Sequence, residues 1–153
     1  MRNQNLPSGQ RGLALVETVI VLPVLIFIMV ATAEVTNIFI QHNTLTKLVR
    51  DGARFVNDSV FNHAAGVMGL DAQLIADTKS IVVYGDTSNT GTPLVYGLTT
   101  ADVSVTEVAP QIVEVSATYP YTGILGTVLT GVGGGAGTSL SFNLSATVSM
   151  RAL

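Results

Sequence analysis

The chain of 153 residues contains no cysteine and no tryptophan. Without cysteine it can form no disulfide framework, no thiolate zinc or iron–sulfur site and no cysteine nucleophile, and the redox compartment stays open. Charge is also scarce. Seven Lys or Arg stand against ten Asp or Glu, a formal net charge of −3, and only 11% of residues are charged. That is far below the quarter or so usual for soluble domains and disfavours an ordinary cytosolic enzyme. The few basic residues are scattered, so no row of them could neutralise a run of phosphates, and nucleic acid is excluded as a partner. Aromatics reach only 6% although 48% of the chain is hydrophobic. The apolar content is therefore Val, Leu, Ile and Ala, and its placement carries the information.

Most of it lies in one stretch, Leu13 to Ala33, in which Glu17 is the single charge. As a helix rising 1.5 Å per residue it would span roughly 31 Å, one bilayer core. A buried helix of a soluble domain is the alternative, but it would show a polar face or be shorter. Two residues inside the run are unusual for a plain anchor. Glu17 places a carboxylate near its start, and Pro23 removes a helix hydrogen bond, favouring a kink or local melting. Ahead of the run lies a polar leader, residues 1–12, with Arg2 and Arg11, ending in Arg11-Gly12.

Three readings of the leader predict different mature chains. A secretory peptidase could cut after Ala31-Thr32-Ala33, which fits the small-x-small rule; the run could stay uncut as a signal anchor; or a prepilin peptidase could cut between Gly12 and Leu13 on the cytoplasmic face. Spacing favours the third. Glu17 is the fifth residue after a glycine that follows a basic residue, the type IV pilin processing signature. A carboxylate in hydrocarbon costs about 2.5–3.5 kcal/mol on translocon scales unless a partner charge meets it. The freed amine of a neighbouring subunit's Leu13 would be that partner. Cleavage would remove Arg2 and Arg11 and leave five of the seven basic side chains against all ten acidic ones.

Arg11-Gly12-Leu13-Ala14-Leu15-Val16-Glu17, Val21-Leu22-Pro23-Val24-Leu25, Ala33-Glu34-Val35, Leu45-Thr46 and Arg50-Asp51-Gly52-Ala53-Arg54 follow one another in the order and spacing of a known family. On these residues the chain resembles the TadE-like minor pilins, or pseudopilins, of tight-adherence (Tad, type IVc) pilus systems. Val115 to Tyr121 and Ser145 to Arg151 look like the family's late strands. Thr18 stands where the family often has an aromatic, and Leu13 and Leu15 stand where Ala is common; the sister TadF and other Tad pseudopilins remain alternatives. The resemblance implies a minor pilin that takes part in assembly, priming or regulation of a pilus concerned with cell adhesion and biofilm. It further implies a prepilin peptidase, other major and minor pilins, the inner-membrane assembly platform and the lipid bilayer as partners. The implied location is the bacterial inner membrane, single-pass with the C-terminal domain in the periplasm, or the extracellular pilus. Charge alone does not orient the segment, since Arg2 and Arg11 are balanced by Lys47, Arg50 and Arg54; the processing signature places the N-terminus inside.

The expected architecture is α+β and pilin-like, a long N-terminal membrane-inserting helix packed on a small antiparallel sheet. Its segments are a leader at 1–12, a membrane or filament-core helix at 13–40 and a periplasmic domain at 41–153. Leu45, Leu48, Val49, Gly52 and Val56 fall on one helical face, with Lys47, Arg50, Asp51 and Arg54 opposite. That polar stripe reads either as a solvated face or as a contact surface, for a neighbouring subunit at Arg50, Asp51 and Arg54 or for anionic lipid headgroups. Gly52 in mid-helix points to close packing. The helix should end near Asn57 to Ser59. A second helix should run from an N-cap at Asp71 to about Ser80. Short strands are expected at Ile81–Tyr84 and Leu94–Tyr96 around a polar turn, then at Val103–Ala109 and Ile112–Tyr119 with Pro110 as a corner or bulge between them. Tyr119-Pro120-Tyr121 should leave the sheet into a flexible Gly-rich loop over Thr127–Gly137. A last strand should alternate from Leu140 to Arg151.

Catalytic chemistry finds no support. Gly131 to Ala136 fits a dinucleotide pattern by letters, but a strand follows it where a helix must open. His42 and His63 lack metal-ligand spacing, and no G-x-S-x-G elbow is present. Asp86 with Asn89 could hold calcium, though turn capping is the commoner role. No enzyme activity, cofactor or metal is expected. The rival to the pilin reading is a membrane-anchored or secreted periplasmic binding or adhesion module that uses the apolar run only as signal or anchor.

Overall fold

The computed structural model describes residues 8–62, 70–123, 128–129, 138–139 and 142–151. The first element is a single helix, α1, Ser8–Asn62, unbroken across Pro23. It runs beyond the expected end at Asn57–Ser59. Polar residues there weaken a helix but do not stop one, and no Gly or Pro falls between Ala53 and Asn62. The chain divides into two compact units, Met1–Thr36 and Asn37–Leu153. The expected division lay between residues 40 and 41.

The second unit holds the rest of α1, then α2 (Ala72–Tyr84), a 3-10 turn (Thr100–Asp102) and five strands: β1 (Val103–Ala109), β2 (Ile112–Pro120), β3 (Val128–Leu129), β4 (Thr138–Ser139) and β5 (Asn143–Arg151). β1, β2 and β5 form an antiparallel sheet with β2 in the centre, while β3 and β4 pair with each other. A long apolar helix with a small three-stranded antiparallel sheet is the expected α+β arrangement. β2 and β5 pair along their whole length, Ile112 opposite Arg151 and Pro120 opposite Asn143. Alternation then sends one set of side chains inward. Val113, Val115, Ala117 and Tyr119 face Met150, Val148, Ala146 and Leu144, while Glu114, Ser116 and Thr118 lie opposite Ser149, Thr147 and Ser145 on the other face. Pro120 has no N–H to give the ladder, and it sits beyond Ala117, the last residue of β2 paired with β1.

The core gathers Leu45, Val49 and Val56 of α1, Val82 and Val83 of α2, and the inward set of the sheet. All five residues expected on one face of α1 are buried, and Lys47, Arg50, Asp51 and Arg54 are exposed. Gly52 sits where α1 meets α2: a Cβ there would lie 2.5 Å from Val82 Cγ2 and 3.5 Å from Thr78 Cγ2.

Three expectations are corrected. Ile81–Tyr84 is the last turn of α2, not a strand. Val82 and Val83 are both fully buried, which alternation in a half-wet strand does not allow, and Gly85 (φ 84°) closes the helix by donating its N–H to the Ile81 carbonyl. Leu94–Tyr96 is a bend and turn. The two segments do meet, through one hydrogen bond from Leu94 N to Val83 O (2.8 Å), but that bond satisfies a helix end where a hairpin would use a ladder. Val128–Leu129, inside the expected Gly-rich loop, pairs as β3 with Thr138–Ser139, β4, just beyond it. Residues 130–137, His63 and the start of the last strand at Leu140 lie outside the described residues. Val103–Ala109 is a strand as expected, and Asp71 is the N-cap of α2.

Candidate functional site

The first unit is a helix whose large apolar side chains face outward. Leu13 is 74% exposed and Met29 75%, with Leu15, Val19, Ile20 and Leu25 all above half. The apolar window within Gly12–Ser59 has a mean hydropathy of 2.8 and none of its residues is buried. A surface of that kind is stable only when something apolar covers it. Glu17 is exposed on the same surface. Ala14, Leu15, Thr18, Val19, Leu22 and Pro23 line a shallow apolar groove beside it.

Polar groups along this helix are mostly turned back on it. The hydroxyls of Thr18, Thr32 and Thr36 donate to the carbonyls of Ala14, Ile28 and Thr32 at 2.8, 2.8 and 2.9 Å. Thr44 and Thr46 do the same farther along. Pro23 offers no N–H, so the Val19 carbonyl one turn back loses its ordinary partner. At Gly12 nothing lies within 4 Å of the place a Cβ would take, and its backbone lies outside the left-handed region. Neither packing nor conformation demands glycine there.

Composition did not point to a polar cluster where the second unit begins. Tyr119 OH donates to Gln41 Oε1 (2.7 Å), Gln41 Nε2 donates to Asn37 Oδ1 (3.4 Å), and Asn37 Nδ2 donates to Tyr121 OH (3.0 Å). The chain of bonds fastens the first turns of α1 in this unit to the end of β2. Both tyrosines are buried, and Tyr121 stacks on Phe142 with ring centroids 5.1 Å apart. Burial, reinforced by Tyr121 next to it, pushes the Tyr119 hydroxyl above the ordinary tyrosine range. Glu34 is the other residue passed over; it is only 8% exposed. For the cluster a signal existed: Asn37, Gln41, Leu45 and Leu48 recur at spacings of four, four and three, the core face of α1 in this unit continued into polar residues.

The remaining candidates are placed as follows. Arg50, Asp51 and Arg54 form an exposed stripe on α1. His42 is exposed. Asp86 accepts from Ser88 N (2.9 Å) and Ser88 Oγ (2.6 Å), a capped turn, and these bonds hold its carboxyl below the ordinary range. Among the described residues no three His, Cys, Asp or Glu side chains converge as metal ligands.

Comparison with known proteins places the N-terminal part of this geometry. Residues 12–54, a little over a quarter of the chain, match the family model described as TadE-like protein. The match begins at Gly12, takes in Glu17, Pro23 and Glu34, and ends at Arg54. It supports a pilin-like protein associated with Tad pilus systems and with their other components. No curated protein matches the chain, and no solved structure does.

Proposed function

With residues 12–54 TadE-like, we propose that the chain is a minor pilin, cut between Gly12 and Leu13, that takes part in assembling, priming or regulating a Tad-type adhesion pilus. The observation that carries this reading is an apolar helix surface, none of it buried, with one carboxylate five residues past a glycine that the fold does not itself require. A prepilin peptidase is the reader that would require that glycine. In the inner membrane the helix holds the subunit with its domain in the periplasm. On transfer to a filament the same surface packs on the helices of other pilins, and the assembly platform drives the move. Glu17 pairs with a neighbour's freed Leu13 amine, since a carboxylate left alone in hydrocarbon costs about 2.5–3.5 kcal/mol. Pro23 lets the helix bend during the transfer, and the exposed Arg50, Asp51 and Arg54 stripe meets a neighbouring subunit. Such a protein works by assembly and turns over no substrate; adhesion and biofilm formation follow from the filament.

N-terminal mass spectrometry of the mature protein tests the cleavage. A chain starting at Leu13 is expected, whereas one starting at Glu34, or an uncut one, favours a secreted or anchored binding module. Glu17→Ala tests the pairing. The variant should still be cut and inserted but should fail to support filament formation, and wild-type piliation would sink the pairing account.

A further inference from the structure

We infer that the outer edge of β5 is an interaction surface whose partner is β5 of a second copy, paired antiparallel about a two-fold axis at Thr147. Two three-stranded sheets then join into one. Only residues of the second unit are involved, so the pairing is independent of how the apolar run is used. In the order β1-β2-β5 the strand ends its sheet, and among the described residues no strand pairs with its other side. Alternate residues of Asn143–Arg151 therefore turn an N–H and a C=O away from β2. The opposite end of the sheet is protected. β1 has seven residues, carries Glu107, and breaks register between Glu107 and Ala109. Shortness, a charge and a bulge all discourage a further strand. β5 instead runs nine residues in unbroken register, without Pro, Gly, Lys, Asp or Glu, and its one charge is Arg151 at the end. Such an edge accepts a strand.

The strand matches itself. Read outward from Thr147, the sequence is nearly the same in both directions: Ala146 and Val148, then Ser145 and Ser149, then Leu144 and Met150, then Asn143 and Arg151. In an antiparallel pair centred on Thr147 each of these residues comes opposite its counterpart in the copy, and Thr147 comes opposite Thr147. Hydroxyl meets hydroxyl on the exposed face, apolar meets apolar on the inner face, and no like charges are opposed. Pairs of this kind stabilise antiparallel strands. Leu144 and Ala146 are buried, whereas Val148 and Met150 are half-buried. The pairing sets each incompletely covered side chain beside a buried one of the copy, removing more apolar surface from water. A patch that complements itself under a two-fold is what a symmetric dimer requires. A strand of another protein would need only the open backbone, so the two-way match favours a copy.

The absence of cysteine makes the test clean, since each single substitution adds the only thiol. The full chain in detergent micelles, carrying Thr147→Cys, Ser145→Cys, Ser149→Cys or Tyr96→Cys, is mildly oxidised and run on a non-reducing gel. Directly opposite residues of an antiparallel pair have Cα atoms about 4.5–5.5 Å apart, within reach of a disulfide. Thr147→Cys is expected to double in mass. Ser145→Cys should not link to itself, because its equivalent in the copy lies four residues along, about 13 Å away. It should link when co-expressed with Ser149→Cys. Tyr96→Cys, at an 85% exposed position, should stay single. Thr147→Lys opposes two charges at an exposed position and should halve the protein mass per micelle measured by light scattering, while Thr106→Lys, exposed on β1, leaves it unchanged. Equal linking of all four cysteine variants would trace the contact to helix association within the micelle and overturn the inference. So would Thr147→Cys that links no more than Tyr96→Cys, an outcome that leaves the edge to a strand of another protein.

Discussion

Gln111 turns the chain from β1 into β2 with φ 67°, a left-handed conformation that a side chain makes costly. Pro110 before it presets the first turn residue, and proline followed by positive φ is the pattern of a type II turn, whose third residue is usually Gly. Gln111→Gly should therefore stabilise the protein by about 0.5–1 kcal/mol, read from chemical denaturation, because relief of strain exceeds the entropy that Gly adds to the unfolded chain. Tyr119 makes an opposite kind of prediction, one of pH. Its hydroxyl is raised above the ordinary value of 10.0 by burial. A group with a raised folded value contributes stability that is fully present below the unfolded value and is lost as pH climbs through the folded one, so the protein should weaken above about pH 10. Tyr119→Phe should cost about 1 kcal/mol at neutral pH by leaving Gln41 Oε1 without its donor, and should flatten that alkaline decline. Melting temperatures followed from pH 8 to 11 check both statements. Single residues were unevenly legible. Pro110 announced a corner, and Glu17 and Pro23 stood out against an apolar background. The pairing of Tyr119 with Gln41 joins residues 78 apart, and no local pattern reports on that.

Elements were legible where their period was clean. Leu45 to Val56 repeats at three and four, and β1, β2 and β5 repeat at two, so α1, the sheet and its buried face follow from the sequence. The end of α2 was not legible, because Ile81-Val82-Val83-Tyr84 is a β-branched and aromatic run that prefers strands by propensity alone. Burial against α1 overrides that preference, and a terminal Gly serves a helix C-cap as well as a turn. The close approach of the two helices makes Gly52 sensitive. Gly52→Ala would normally gain up to about 1 kcal/mol of helix propensity, but its Cβ meets Val82, and overpacking of that kind costs about 1–3 kcal/mol. A net loss of about 1–2 kcal/mol is expected in denaturation. Val82→Ala should recover part of it in the double variant, a coupling that independent sites would not give.

For the whole molecule, the high apolar share is concentrated in one run, Leu13 to Ala33, in which Glu17 is the only charge. Retention in membranes should therefore depend on the run alone. The protein should remain in the membrane fraction through high-salt and alkaline carbonate washes, which weaken surface electrostatics, and should leave only with detergent. Release by salt would contradict an integral anchor. The threonines of α1 bear on how such an anchor changes company. Thr18, Thr32 and Thr36 each spend their hydroxyl proton on a carbonyl of their own helix, so they ask nothing of whatever surrounds them. Lipid tails and protein side chains become interchangeable solvents for that helix, and moving it from one to the other breaks no hydrogen bond made by these hydroxyls. On the pilin reading proposed above, partner choice then falls to Glu17.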